Sequence, residues 1–234
     1  MSLQLLERIL HAQGFGSRKM CRQWITAGRI TVAGEPVTDP QRRFESEGLP
    51  FCFDDEAWVA RDTVYILLHK PAGFECSRAP QHHRSVLDLL PAPLAYRGVQ
   101  PAGRLDQDTT GLLLLSDDGQ FLHRIASPKR HAAKVYHATC KHPISEELLA
   151  ALNSGVLLHG ENAPVSGLAR ALDSHRLELT LHQGLYHQVK RMIAAAGNRC
   201  EALHRYAIGQ LTLGTLASGQ WRYLGRDELT EFCD

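Results

Sequence analysis

The sequence predicts an α+β protein in two parts. A small N-terminal domain with its linker occupies residues 1–60, and a larger domain, residues 61–234, carries a mostly antiparallel mixed sheet flanked by helices. Three observations carry this prediction. The N-terminal block reads as helix, turn, helix, hairpin. An acidic stretch follows it. Beyond that, apolar strand-like runs mix with helical ones, without the regular βαβ rhythm of a doubly wound sheet or barrel.

In the first block, Leu3, Leu5, Leu6, Ile9 and Leu10 form a helical apolar stripe, which Gly14-Phe15-Gly16 stops. Ser17 is a suitable N-cap for a second helix, which displays Arg18, Lys19 and Arg22 and offers Trp24 and Ile25 to a core. Arg29-Ile30-Thr31-Val32 alternates like a strand and turns at Ala33-Gly34-Glu35-Pro36. A helical pair with a basic second helix and a hairpin suits RNA binding, although the same cations on a solvated helix need bind nothing. Residues 54–63, rich in Asp and Glu, are the expected linker.

The larger domain starts with a buried strand, Val64-Tyr65-Ile66-Leu67-Leu68, ended by His69-Lys70-Pro71-Ala72-Gly73, where Pro-Ala-Gly forces a turn. Leu112 to Leu115 is a second buried strand, closed by Ser116-Asp117-Asp118-Gly119. Further strands are expected over 134–140, 176–181 and within 203–213, and helices over 146–152 and 189–196.

Composition narrows the function. The 234 residues are 44% hydrophobic and 22% charged, with a formal net charge of +1, ordinary for a globular protein. The small net charge conceals basic blocks that alternate with acidic ones, and a local basic face is all that phosphate binding needs. Cysteines at 21, 52, 76, 140, 200 and 233 form no C-x-x-C pair, so free thiols in a reducing cytoplasm are expected. No signal-like or membrane-spanning run is visible, so a cytoplasmic protein without membrane contact is expected. No heptad or long apolar edge suggests assembly, which points to a monomer.

The densest polar cluster between buried strands is Gly103-Arg104-Leu105-Asp106-Gln107-Asp108-Thr109-Thr110-Gly111. Carboxylates just before a four-leucine strand sit at the mouth of a packed core, where a catalytic acid can be held rigidly and still meet solvent. Taken alone, a turn whose aspartates only accept backbone N–H bonds is the commoner arrangement. Residues 106–117 nearly fit a calcium loop, but position 12 is Asp117, positions 7–10 are all leucine, and no helix precedes it. Asp-Thr-Thr-Gly has an extra Thr and no second copy, which excludes an aspartic protease. The histidines lack metal-ligand spacing, and no glycine-rich phosphate loop is present, so neither metal nor nucleotide cofactor is expected.

Three more segments combine cations with flat rings: Ser127-Pro128-Lys129-Arg130-His131-Ala132-Ala133-Lys134-Val135-Tyr136, Tyr186-His187-Gln188-Val189-Lys190-Arg191-Met192, and Leu203-His204-Arg205-Tyr206. Cations hold phosphates while rings stack on unpaired bases, and together the segments fit an RNA substrate.

Gly-Phe-Gly-Ser-Arg-Lys (14–19) with Ile-Thr-Ala-Gly-Arg-Ile-Thr-Val-Ala-Gly (25–34) resembles the S4 RNA-binding domain. Gly-Arg-Leu-Asp at 103–106, followed in order by Ser-Asp-Asp-Gly, Ser-Pro-Lys, Lys-x-Tyr, Tyr-His-Gln-Val-Lys-Arg-Met and Leu-His-Arg, resembles the RsuA-type family of rRNA pseudouridine synthases over nearly the whole chain. The Tyr-His-Gln-Val-Lys-Arg-Met form looks closest to the small-subunit enzymes. One departure is His69, where the family usually has Asn.

The resemblance implies an enzyme that isomerises uridine to pseudouridine in rRNA, with 16S rRNA uridine 516 as the expected target. It implies no cofactor, and rRNA or an assembling small subunit as partner. The alternatives are a synthase for a 23S uridine and a non-catalytic S4-type assembly protein. Asp106 matches the essential carboxylate, acting by attack at C1′, by stabilising an oxocarbenium-like sugar, or by removing a C2′ proton. Lys190 matches its cationic partner, and Tyr136 the aromatic that stacks on the base. Expected RNA contacts are Arg18, Lys19, Arg22, Arg29, Lys70, Arg104, Lys129, Lys134, His187, Gln188, Arg191, His204 and Arg205.

Overall fold

The computed structural model describes residues 3–126 and 132–233. The chain divides into two compact units. The first comprises residues 1–64 with 87–100 and 116–118, and the second comprises 65–86, 101–115 and 119–234.

In the first unit, α1 (Leu6–Ala12) and α2 (Arg18–Thr26) follow the short strand β1 (Gln4–Leu5), which pairs with β4 (Arg43–Phe44). Ser17 caps α2 by accepting a hydrogen bond from the Met20 N–H. A four-stranded sheet runs in the order β3 (Glu35–Pro36), β2 (Ile30–Val32), β5 (Pro50–Phe53), β6 (Glu56–Val59). Leu6, Ile9, Leu10, Ile25, Ile30 and Phe51 form its core, each burial stabilising by about 2 kcal/mol. Phe15 adds edge contacts to Phe51 and Trp58.

The expected linker over 54–63 is not one. Asp54 and Asp55 form a two-residue turn with φ of 47° and 68°, and β6 follows directly. Asp tolerates the left-handed region, and two positive φ values match the twist of paired strands. Of the acids that suggest a solvated spacer, Asp54 and Asp55 are the turn residues, Glu56 is an exposed member of the hairpin, and Asp62 accepts a hydrogen bond from the Ser46 hydroxyl. The first unit also takes in α3 (Ala92–Tyr96), a helix the sequence reading missed. Arg97, at its C-cap, donates to Asp117 Oδ2 at 2.7 Å, to the Gln13 side chain at 2.9 Å and to the Arg61 carbonyl at 3.0 Å.

The second unit begins with β7 (Tyr65–Lys70), then a small parallel pair, β8 (Phe74–Glu75) with β9 (Arg84–Ser85). The main strands are β11 (Thr110–Ser116), β12 (Lys134–Cys140), β13 (Leu168–Ala171), β14 (Arg176–Leu181), β15 (Cys200–Ile208) and β17 (Trp221–Tyr223). They form a nine-stranded sheet ordered β13-β14-β12-β15-β11-β7-β17, with β10 (Gln100–Pro101) against β11 and β16 (Leu211–Thr212) against β15. The β11–β15 pair is parallel, while β12 runs antiparallel to both β14 and β15.

Helices α5 (Glu146–Ser154) and α6 (Gln188–Ala195) pack over Ala138, Leu177 and Leu179. Helices α4 (Gly119–Ala126) and α7 (Arg226–Cys233) cover Leu67, Leu112 and Leu114. Leu113 and Leu115, on the alternate side of β11, are buried as well. A strand covered on both faces explains the unbroken leucine run.

Candidate active site

Asp106 lies in the second unit, in the loop entering β11. That loop is held from beneath. Lys70, wholly buried at the end of β7, donates from Nζ to the carbonyl oxygens of Pro71, Gln107 and Thr109 at 3.0, 3.1 and 2.8 Å. The Gly73 N–H donates to the Gln107 carbonyl at 2.8 Å, and the Leu105 N–H reaches Cys76 Sγ at 3.4 Å. A further bond from the Thr109 N–H to the Asp106 carbonyl, 3.1 Å, closes the turn. Gly73, at φ 86°, supplies the left-handed step that turns the chain back toward Gln107. The Pro-Ala-Gly turn of the sequence is therefore the base on which the aspartate loop rests.

The Asp106 carboxylate meets a cation-capable group at each oxygen. His187 Nε2 is 3.2 Å from Oδ1, and Lys190 Nζ is 3.2 Å from Oδ2. Lys190 also donates to Asp108 Oδ1 at 2.6 Å. Burial works against the Lys190 charge, but its bonds to Asp108 and Asp106 outweigh this and raise its pKa. Asp108 is pulled the other way. Burial would raise its pKa, yet the Lys190 hydrogen bond prevails and holds it below the ordinary value.

Both partners come from the start of α6. His187, the N-cap residue, sits in the left-handed region at φ 48° and ψ 33°, a conformation His adopts more readily than most side chains. Tyr186 stacks on its ring at 3.8 Å between centroids and is largely exposed. Lys190 follows three residues on, close to one helical turn from His187.

Tyr136 completes the arrangement from β12. The β12–β15 register shifts between Val135 and Tyr136, so that Val135 faces Ala207 and Tyr136 faces Arg205. Such irregularities re-aim side chains beside sites. Tyr136 thereby lines a cavity of about 370 Å³ with Arg104, Asp106, Thr109, Lys134, His187 and Arg205. A second cavity, about 740 Å³, continues past Asp106, Asp108, Tyr186 and Lys190 to Glu75 and the Ser77–His83 segment. The Glu75 carboxylate accepts the N–H groups of Gln81, His82 and His83 at 2.9–3.1 Å. Those bonds hold its pKa below the usual value.

Several expected RNA contacts need correction. Lys70 is sealed from solvent and binds three backbone carbonyls, so it positions the loop and does not reach RNA. Gln188 is buried, and its Oε1 accepts the Leu185 N–H at 2.8 Å, closing the turn before α6. Arg205 is 2% exposed and donates from Nε to the Leu112 carbonyl at 2.7 Å, so it cannot grip an RNA backbone on the surface. Arg191 donates to the carbonyls of Tyr186 and His159.

His204 bonds Thr110 Oγ1 at 2.9 Å, on the sheet face opposite Tyr136. His69 bonds the Leu216 carbonyl at 2.8 Å and stands edge-on to His204. Burial, together with His69 and His137, pushes the His204 pKa down.

In the first unit, Arg18 and Lys19 are exposed. Arg22 is paired with the buried Glu7 at 2.7 Å. Arg29 is paired with Asp54 and lies 4.8 Å over the Phe53 ring. Lys129 falls outside the described residues. The sequence reading missed Asp108, Thr109, Cys76 and Glu75 as site-building groups. The first two stood in the quoted motif; nothing local marked the others.

Among the described residues no cluster of three or more His, Cys, Asp or Glu is placed to hold a metal, and no helix is long and apolar enough to cross a membrane.

Comparison with known proteins gives consistent matches. Residues 64–195 match the RNA pseudouridylate synthase family, and residues 4–48 match the S4 domain. The ribosomal small subunit pseudouridine synthase A of Yersinia pestis is 38% identical over 96% of this chain and 96% of its own. Its Escherichia coli K12 counterpart is 36% identical over 96% and 97%. A crystal structure of a pseudouridylate synthase superposes with a TM-score of 0.70 at 35% identity, covering 97% of this chain and 99% of the other. A carboxylate set on a buried lysine and clasped from α6 thus sits inside the matched span, and the chain belongs to the RNA pseudouridylate synthase family, an isomerase that converts uridine to pseudouridine.

Proposed function

We propose that this enzyme modifies one uridine of small-subunit ribosomal RNA, at 16S position 516, and that Asp106 is its catalytic carboxylate. The observation that carries the catalytic assignment is the double anchoring of Asp106. With His187 on one oxygen and Lys190 on the other, the carboxylate cannot rotate away from the cavity it shares with Tyr136. The target assignment draws on the small-subunit rRNA activity for which the relatives are named and on the exposed basic helix of the S4-like block.

The reaction breaks the bond from uracil N1 to ribose C1′, rotates the base and joins C5 to C1′; the C5 proton leaves and N1 gains one. Atoms balance without a donor, a water or an electron carrier. The uridine must first leave its stack, which costs a few kcal/mol and is offset by phosphate contacts and by stacking in the pocket. Arg104 and Lys134, at the cavity wall, supply phosphate contacts, and Arg18 and Lys19, exposed on α2 of the first unit, offer phosphate contacts of their own. Tyr136 stacks on the base and assists departure of the C5 proton. Asp106 works at the sugar, where charge develops as the N1 bond opens, in an electrostatic setting fixed before substrate arrives.

The test is incubation of the full chain with unmodified 16S and 23S rRNA fragments, followed by mapping of pseudouridine. One new pseudouridine at 16S position 516 is expected, and none with Asp106→Asn. Modification confined to 23S fragments would overturn the target, and turnover by the Asn variant would overturn the role of Asp106.

A further inference from the structure

Two residues that line the cavity each carry a buried, unpaired polar group. The Thr109 hydroxyl and Arg205 Nη2 are each shut off from solvent and have no hydrogen-bond partner, and their residues are 1% and 2% exposed. Both residues line the cavity that holds Asp106 and Tyr136. A buried donor without a partner is costly, and a buried cation with an unused donor more so. Arg205 is held in place by its bond from Nε to the Leu112 carbonyl, and Thr109 by the Lys70 bond to its carbonyl. Gly111, paired with Arg205 across β11 and β15, lets the two backbones approach closely, since an added Cβ would stand 2.3 Å from the Arg205 carbonyl oxygen. Both residues are thus held at their backbones or at Nε, while the hydroxyl and Nη2 stay unpaired and need only a small side-chain rotation to face the cavity their residues line.

We propose that Thr109 and Arg205 read the hydrogen-bonding edge of the target uracil; this rests on the cavity being the site of a flipped uridine. Uracil presents O4, N3–H and O2 in sequence, an acceptor, a donor and an acceptor. A guanidinium only donates, and a hydroxyl can accept. Arg205 Nη2 donates to O4 while Thr109 Oγ1 accepts N3–H. Cytosine carries an amino group in place of O4, so its donor would confront the arginine donor and leave both unpaired. A site that hydrogen-bonds its substrate discriminates strongly for that reason. Thr109 and Arg205 are specificity-determining here, while Asp106 performs the chemistry.

The test uses the full-length enzyme and an RNA fragment that the wild type modifies. Thr109→Val removes the hydroxyl and keeps the shape. We expect kcat/KM to fall roughly tenfold, with Tm unchanged or higher, because the free protein loses an unpaired buried group. Thr109→Ser restores most of the activity. In parallel, inactive Asp106→Asn protein is titrated with fragments bearing uridine or cytidine at the target. Tighter binding of the uridine fragment is expected, with the gap narrowed by adding Arg205→Lys. Unchanged kcat/KM in Thr109→Val, or a loss matched by a lower Tm, would overturn the assignment. A wild type without pseudouridine formation on any rRNA fragment would instead overturn the functional reading beneath it.

Discussion

Lys70 Nζ donates to the Thr109 carbonyl oxygen at 2.8 Å, from a side chain wholly closed to solvent. Through this bond and its partners on Gln107 and Pro71, an ammonium stands where a turn would otherwise need several backbone donors. Lys70→Met leaves three carbonyls facing an apolar chain. The expected loss is about 3 kcal/mol of stability, seen as a lower Tm. An activity loss larger than the unfolded fraction explains, because the Asp106 loop slackens, is measured by single-turnover kinetics at a temperature where the variant is folded.

Lys190→Met removes the cation from both Asp106 and Asp108. Activity should fall about 100-fold or more, the scale on which a preset electrostatic contact contributes. Lys190→Arg should recover part of it. The raised Lys190 pKa means that its contribution to stability is fully present below about pH 10 and disappears as pH rises through the folded value. The wild type should therefore melt higher than Lys190→Met at neutral pH, and the Tm difference between them should shrink above about pH 10.

Glu75 orders the 77–83 segment through three backbone N–H groups. Its lowered pKa carries the opposite sign. The ordering is complete above the unfolded value near 4.5 and is lost as pH falls through the folded value. Glu75→Gln at neutral pH should mimic acid. The amides of Gln81, His82 and His83 should then exchange faster by hydrogen-exchange mass spectrometry, with the rest of the sheet unchanged.

Arg97 is almost fully buried on its side chain, at 3% exposure, and pairs with Asp117. Arg97→Met strands that carboxylate together with Gln13 and the Arg61 carbonyl. Breaking one side of a buried pair costs about 3–5 kcal/mol. The expected outcome is a lower thermal transition for the first unit, followed through Trp24 and Trp58 fluorescence. Asp117→Asn should cost less, since the amide oxygen can still accept from Arg97.

The elements most readable in the sequence were those whose apolar period is complete within the segment. Lys134–Cys140 and Arg176–Leu181 appear as strands at the expected bounds. Asp106, Tyr136 and Lys190 were also legible, because their spacing follows a family pattern, and the structure brings them to adjoining cavities. What stayed hidden depended on long-range partners. Lys70 looks like any strand-end cation until three carbonyls 1 to 39 residues away converge on it. Arg205 looks like a surface cation until the parallel pairing with Gly111 buries it. The acidic hairpin at Asp54-Asp55 was mistaken for a spacer because charge records exposure and not backbone path.

The first unit draws on three separate stretches of chain, changing over at 64/65, 86/87, 100/101, 115/116 and 118/119. An N-terminal RNA-binding module is commonly pictured as a bead that genetic recombination can graft onto any enzyme. Here a graft made at residue 64 would carry away α1 and α2 but leave behind Arg97 and Asp117, and Gly14 would lose the Pro93 backbone it abuts. Homologous exchange would succeed only between donors that already share those inserted stretches. The two halves are therefore expected to be inherited as one gene segment, with their sequences drifting together.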